Sequence, residues 1–160
     1  MKRRLVLIIL VSLFQSISQA GLPVVASPDQ KTLLVSADAH LATNKKLVYD
    51  FWRVVLIGLH LDQVNQFLSV DYIQHNPNVQ TGRQGFVDFF SKLGGPRTIP
   101  DQIPDLVSIQ AEGDLVTFSL VNQLDDPQNP GSKYTTTWFD MFRIQDGQIV
   151  EHWDCDVKQK

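Results

Sequence analysis

The chain has 160 residues, a formal net charge of −3 and a single cysteine, Cys155. That length fits one domain, and a lone cysteine excludes an intrachain disulfide, so the core alone must hold the fold. An acidic balance with no cluster of Lys and Arg argues against nucleic acid as a partner, because phosphates need the opposite sign gathered on one face.

Lys2, Arg3 and Arg4 precede an apolar run from Leu5 to Leu10, continued by Val11, Leu13 and Phe14, and small and polar residues follow to Ala20. This order is that of a secretory signal peptide, and the run is shorter than the roughly 20 residues that span a membrane. Residues 1–20 are therefore expected to direct export to a periplasm or beyond, with cleavage after Ala20 or Ala26 and no stable membrane insertion afterwards. Cleavage after Ala20 leaves 11 basic against 17 acidic residues, a net charge of −6. Cys155, unpaired in such a compartment, is expected to be buried and inert. Residues 21–42 contain Pro23, Pro28 and one apolar knot, Leu33-Leu34-Val35, and read as a leader that docks on the domain without founding it.

From Thr43 the apolar residues Leu47, Val48, Phe51, Trp52, Val55, Leu56 and Leu59 form one broad stripe at helical spacing, with Thr43 or Asn44 as the cap. A second, short helix is expected from Asp62, burying Val64, Phe67 and Leu68. Asp71 to His75 reads as extended, because Pro77 disfavours helical geometry at Asn76. A third helix follows Thr81-Gly82, buries Phe86, Val87, Phe89, Phe90 and Leu93, and stops at Gly94-Gly95-Pro96. Four strands then follow, Leu106–Ala111, Leu115–Leu124, Tyr134–Ile144 and Ile149–Val157, all rich in β-branched and aromatic residues. Helices followed by hairpin-linked strands predict an α+β fold with the helices on one face of a curved antiparallel sheet.

Asp146-Gly147 is a two-residue hairpin signal, and it sets a register. Pairing Gln145 with Gln148 puts Arg143 opposite Val150, Met141 opposite His152 and Phe139 opposite Asp154. Alternation then places Phe139, Met141, Val150, His152 and Asp154 on one face, and Trp138, Asp140, Phe142, Glu151, Trp153 and Cys155 on the other. A carboxylate ringed by Phe, Met and Val has a raised pKa and can act as a general acid or base, with the histidine sharing its proton. The bland alternative for His152 and Asp154 is a solvated pair at a strand end. His75, at the end of the short strand, points either into the same mouth or to a backbone partner. Tyr72 and Asn76 are donors near that mouth, and Trp52 is a candidate wall residue. His75, His152 and Asp154 are the residue types that hold zinc or iron, but no compact ligand spacing supports a metal, and none is expected. The second face carries Trp138, Phe142 and Trp153, an apolar surface that rarely stays exposed and so predicts a homodimer.

Tyr72-Ile73-Gln74-His75-Asn76-Pro77, Gly82-Arg83-Gln84-Gly85-Phe86, Asp140-Met141-Phe142-Arg143-Ile144, and above all Ile149-Val150-Glu151-His152-Trp153-Asp154, resemble the SnoaL-like group of the nuclear-transport-factor-2-like superfamily. The resemblance covers about residues 43–158. It implies a cone built from a bent antiparallel sheet with three helices packed on its concave face. Polyketide cyclases of that group catalyse an intramolecular aldol condensation with an acidic pocket residue and no metal or cofactor. The resemblance carries the acid/base role onto Asp154, with His152 and His75 holding the enolate or carbonyl oxygen. Tyr72, Asn76, Trp52, Phe139, Met141 and Val150 would then bind the substrate. The same cone also hosts isomerases, dehydratases and plain binding modules, and fold alone does not choose among them. Two functions stay open: a cofactor-free acid/base enzyme acting on a small apolar carbonyl compound, and a module that binds such a ligand unchanged.

Overall fold

The computed structural model describes residues 21–159, so the expected signal peptide lies outside the described residues. A four-residue helix α1 (Gln30–Leu33) precedes the main helix α2 (Ala39–Phe51). Asp38 caps α2, its carboxylate accepting from the N–H groups of His40 at 2.7 Å and Leu41 at 3.4 Å. The start expected at Thr43 or Asn44 is therefore too late by a turn. The first turn of α2 is largely exposed, so the apolar stripe begins only after the helix does.

Helix α2 continues as wider π-helical turns over Trp52–Ile57 and ends at Gly58. A side chain at Gly58 would bring a Cβ within 2.7 Å of the Val54 carbonyl, so the helix closes on a residue that has none. The expected second helix is a 3-10 segment over Leu61–Gln66, and Leu68, expected in it, instead opens strand β1 (Leu68–Gln74). Helix α3 (Arg83–Phe90) starts from Gly82 at φ 87, a left-handed conformation that glycine takes without strain. A 3-10 turn over Ser91–Leu93 extends it.

Strands β2 (Leu106–Glu112), β3 (Leu115–Asp125), β4 (Lys133–Gln145) and β5 (Gln148–Asp154) form an antiparallel run. The sheet order is β1-β5-β4-β3-β2, with β1 parallel to β5. The expectation of an antiparallel sheet thus holds for four strands, and β1 is the exception. No hairpin joins β1 to its neighbour; the connection runs through α3 and three strands, which leaves the parallel direction open to it.

The curved sheet carries its helices on one face. Val48, Phe51 and Val55 meet Phe86 from α3 and Tyr72, Phe118, Phe142 and Ile149 from the sheet, all nearly or fully buried. The Phe51 ring lies 5.9 Å from Phe67, 5.7 Å from Phe86 and 6.1 Å from Phe142. Each such side chain contributes roughly 1.5–3 kcal/mol by leaving water. Among the described residues, no helix is long and apolar enough to cross a membrane.

The Asp146-Gly147 turn forms as expected, with φ of 49° and 74°, but the register beyond it differs. Ile144 pairs with Ile149, and then Arg143 pairs with Glu151, which leaves Val150 as an extra residue on β5. From that bulge on, Phe142 faces His152, Met141 faces Trp153 and Asp140 faces Asp154. The bulge lets Ile149 and His152, three residues apart, both point inward, which a regular strand forbids. It also reverses the expected faces of β4. Cys155, just past β5, is exposed rather than buried, its thiol 3.5 Å from the Phe139 carbonyl.

Candidate active site

Tyr72 and Gln74 of β1, Asn76 beyond it, Trp138, Asp140 and Phe142 of β4, and His152 and Asp154 of β5 converge on a cavity of about 390 Å³. Trp52 from the end of α2 and Phe86, Phe89 and Phe90 from α3 supply much of its apolar wall.

His152 and Asp140 are 8% and 4% exposed. His152 Nε2 lies 2.8 Å from Asp140 Oδ1, and His152 Nδ1 lies 2.9 Å from Gln74 Oε1. The Gln74 amide has only one workable orientation, because its oxygen also accepts from the Asn76 backbone N–H at 2.9 Å. A backbone N–H can only donate, so the atom facing both it and His152 is the oxygen. His152 Nδ1 therefore carries a proton, and the imidazole's second nitrogen shares one with Asp140. Phe142 stacks on the imidazole at 4.7 Å. Asp140 Oδ2 is buried and, among the described residues, makes no hydrogen bond of normal length and angle, although the Trp138 side chain lies close enough to favour the carboxylate weakly.

Burial pushes the Asp140 carboxyl above the usual carboxylate range; the hydrogen bond from His152 opposes this, and the nearby Asp154 carboxylate adds to the rise. Tyr72, 1% exposed, accepts from Gln74 Nε2 at 3.0 Å, which leaves its own proton available to a ligand. Burial holds that hydroxyl far above its ordinary pKa, and the Asp154 and Asp140 carboxylates reinforce the effect, so Tyr72 stays a neutral donor. Asp154 sits at the mouth, where Oδ2 accepts from Asn76 Nδ2 at 2.7 Å and Oδ1 from the Asp156 N–H at 2.9 Å.

The expected site residues divide into two groups. Tyr72, Asn76, Trp52, His152 and Asp154 line the cavity together. His75 does not: it lies on the outer face, 2.8 Å from Glu151 Oε1 and stacked on Trp153 at 5.1 Å. That contact, seconded by Arg143, holds the Glu151 carboxyl below its ordinary range. Phe139, Met141 and Val150, expected as pocket wall, also lie outside, Phe139 being 48% exposed. Trp138 and Phe142, expected on an outer dimer face with Trp153, line the cavity instead. One bulged residue accounts for the β4 reversals. The sequence pattern singles out neither Asp140 nor Gln74 as a site residue, though β4 holds one usable signal for the first. Arg143 shares a face with Phe139 and Met141, and an arginine on the supposed inner face marks that face as the outer one.

Asp140, His152 and Asp154 also place one ligand atom each within 4.8 Å of one another, so they are the residues that could hold a metal. A cation there would take the place of the proton between His152 and Asp140. The three expected metal-type residues are not this set, since His75 is absent from it.

The fold is an α+β cone with a buried histidine–carboxylate pair facing an apolar pocket. Residues 48–152 match the SnoaL-like domain, and the chain belongs to that family. Among solved structures it is similar to a proposed polyketide cyclase from Xanthomonas campestris pv. campestris, at 22% identity and a TM-score of 0.52 over 72% of this chain and 91% of that one. A proposed polyketide cyclase from Acidithiobacillus ferrooxidans aligns at 16% identity and a TM-score of 0.51, over 75% of this chain and 89% of that one. A Xanthomonas campestris protein described as of unknown function with a cystatin-like fold aligns at 21% identity and 0.50, over 71% and 91%. At these identities the likeness speaks for the fold alone. No curated protein sequence matches the chain.

Proposed function

We propose that this protein is an acid/base enzyme that moves a proton on a small apolar carbonyl compound, with the Asp140–His152 pair as the proton-transferring group. The observation that carries the reading is Asp140 itself: a carboxylate lining an apolar cavity, one oxygen bonded to His152 and the other unpartnered. Asp154, which the family resemblance favours, has both oxygens engaged at the mouth. In the proposed step Asp140 takes a proton from the carbon beside the carbonyl. The C–H electron pair moves to the carbonyl oxygen, which receives a hydrogen bond from the Tyr72 hydroxyl as its charge grows. The enolate then attacks a second carbonyl whose new alkoxide takes the proton from Asp140, expels a hydroxyl that leaves as water with that proton, or is reprotonated at another carbon by Asp140, giving aldol condensation, dehydration or isomerisation. Export, read from residues 1–20, belongs to the same proposal and is checked by cell fractionation.

The test is to identify a co-purifying ligand by mass spectrometry and assay its conversion. Asp140→Asn is expected to bind that ligand within a few-fold of wild type and to lose about 10²–10⁴-fold in kcat, the usual scale for a positioned acid/base. Binding without conversion by the wild type would instead establish a carrier of the same ligand.

A further inference from the structure

A second cavity adjoins the first at Trp138. Trp52, Ile57, Leu120 and Trp138 each line both the first cavity and this second one of about 360 Å³, whose far side is formed by Asp105 and Asn122. The two cavities thus adjoin, with these four side chains common to both.

The strand register supplies a ruler. Phe118 lies opposite Asp140, Leu120 opposite Trp138 and Asn122 opposite Thr136, three successive rows of the inner face. At roughly 3.3 Å per residue, the Asn122 row is about 13 Å from the Asp140 row. The rows change character along that distance. The first carries the proton-transferring group, the second is apolar and aromatic, and the third is polar. Neither the Asp105 carboxylate nor the Asn122 amide has a side-chain hydrogen-bond partner among the described residues. A carboxylate only accepts, so a ligand group that donates is the one it would hold.

We propose that the second cavity is a subsite for the far end of an elongated ligand, an apolar carbonyl compound that carries a hydrogen-bond donor about 13 Å from its carbonyl group. The proposal rests on the reading that the first cavity takes the carbonyl. Trp52 and Trp138 then grip the middle of the ligand, and Asp105 and Asn122 select its terminus.

Four probes separate these readings when titrated at low salt and followed by tryptophan fluorescence, to which Trp52 and Trp138 report. They are acetylnaphthalene and its derivatives carrying a butoxy, hydroxypropoxy or aminopropoxy arm on the far ring. The amine arm is expected to bind about fivefold more tightly than the butoxy arm, the upper end for an exposed charge pair, with the hydroxyl arm between them. Asp105→Asn should remove most of the amine preference, as should high salt. Asp105 is exposed and its side chain bonds to nothing described, so this variant keeps the fold and the Asp140–His152 pair. If acetylnaphthalene binds but the arms do not discriminate, or if the amine preference survives in Asp105→Asn, the subsite is wrong and the carbonyl site stands. If acetylnaphthalene itself does not bind, both fall.

Discussion

A carboxyl group with one oxygen bonded to an imidazole and the other unpartnered is poised between two charge states, and burial decides which is favoured. For Asp140 burial shifts the balance toward the protonated form relative to the unfolded chain, because its pKa is raised above the ordinary 3.8. Two consequences follow with opposite readouts. As a base, Asp140 works only when deprotonated, so the acidic limb of kcat/KM should fall above pH 3.8 and be absent from Asp140→Asn. As a folding element, Asp140 binds more protons folded than unfolded. Its contribution is then most favourable below the unfolded value, and it is lost as pH rises through the folded one. Urea unfolding from about pH 4 upward should show Asp140→Asn gaining stability relative to wild type over that window. A limb at the ordinary carboxylate value, or a stability difference that does not change with pH, would remove the claim that burial tunes this group.

Among the elements, the bulge at Val150 decides what the pocket is made of. Deleting Val150 should restore regular pairing, because Ile149 and Glu151 become neighbours and Arg143 still faces Glu151, so His152 and Asp154 stay inward. The deletion removes only the local twist of the bulge, so it should cost about 0.5–3 kcal/mol in a denaturation series and keep the Asp140–His152 pair. Val150→Ala keeps the extra residue and trims a half-buried side chain, so it should cost about 1 kcal/mol or less. The bulge thus keeps the faces through the pairing of Arg143 with Glu151, not through the valine side chain. It also explains which parts of the fold are legible in the sequence. The strands β2 to β5 stand out because β-branched runs end at Glu-Gly-Asp, Asp-Pro and Asp-Gly turns, and their observed ends fall close to the expected ones. The start of α2 does not, because Asp38 caps a largely exposed first turn with no apolar stripe to announce it. The register does not either, because a single inserted residue leaves no compositional mark and yet exchanges Phe139 and Met141 for Trp138 and Asp140. His152 and Asp154 kept their shared face because both lie beyond the bulge on the same strand.

At the scale of the whole molecule, the segment before α2 acts as a brace. The Val24 N–H donates to Thr135 Oγ1 at 2.7 Å and the Ser27 N–H to the Leu106 carbonyl at 2.8 Å, tying the segment to β4 and β2. Between these strands and α2 stands Gln30, a polar side chain only 3% exposed. Its Nε2 donates to the Ile103 carbonyl at 2.6 Å, and its Oε1 accepts from the Ile103 N–H at 3.0 Å and from the Tyr49 hydroxyl at 2.8 Å. One amide thus satisfies both backbone groups of Ile103 and joins α2 to the loop that leads into β2. Gln30→Ala leaves the Ile103 N–H unpaired in the interior, while the Ile103 carbonyl keeps the Leu106 N–H at 3.3 Å, so the loss should be about 1–3 kcal/mol, some of it recovered by water. Gln30→Glu keeps the shape but replaces the donor with a buried acceptor facing the Ile103 carbonyl, so it should destabilise as well, and more at neutral than at acid pH. Trimming the chain to begin at Ser27 removes the Val24 contact and spares Gln30, and should cost far less. The brace also reaches the second cavity, because Ile103 lines it two residues before Asp105. Loosening Gln30 should therefore weaken selection of the ligand's far end before it weakens proton transfer at Asp140. If Gln30→Ala unfolds at the wild-type urea concentration, the leader merely lies on the domain.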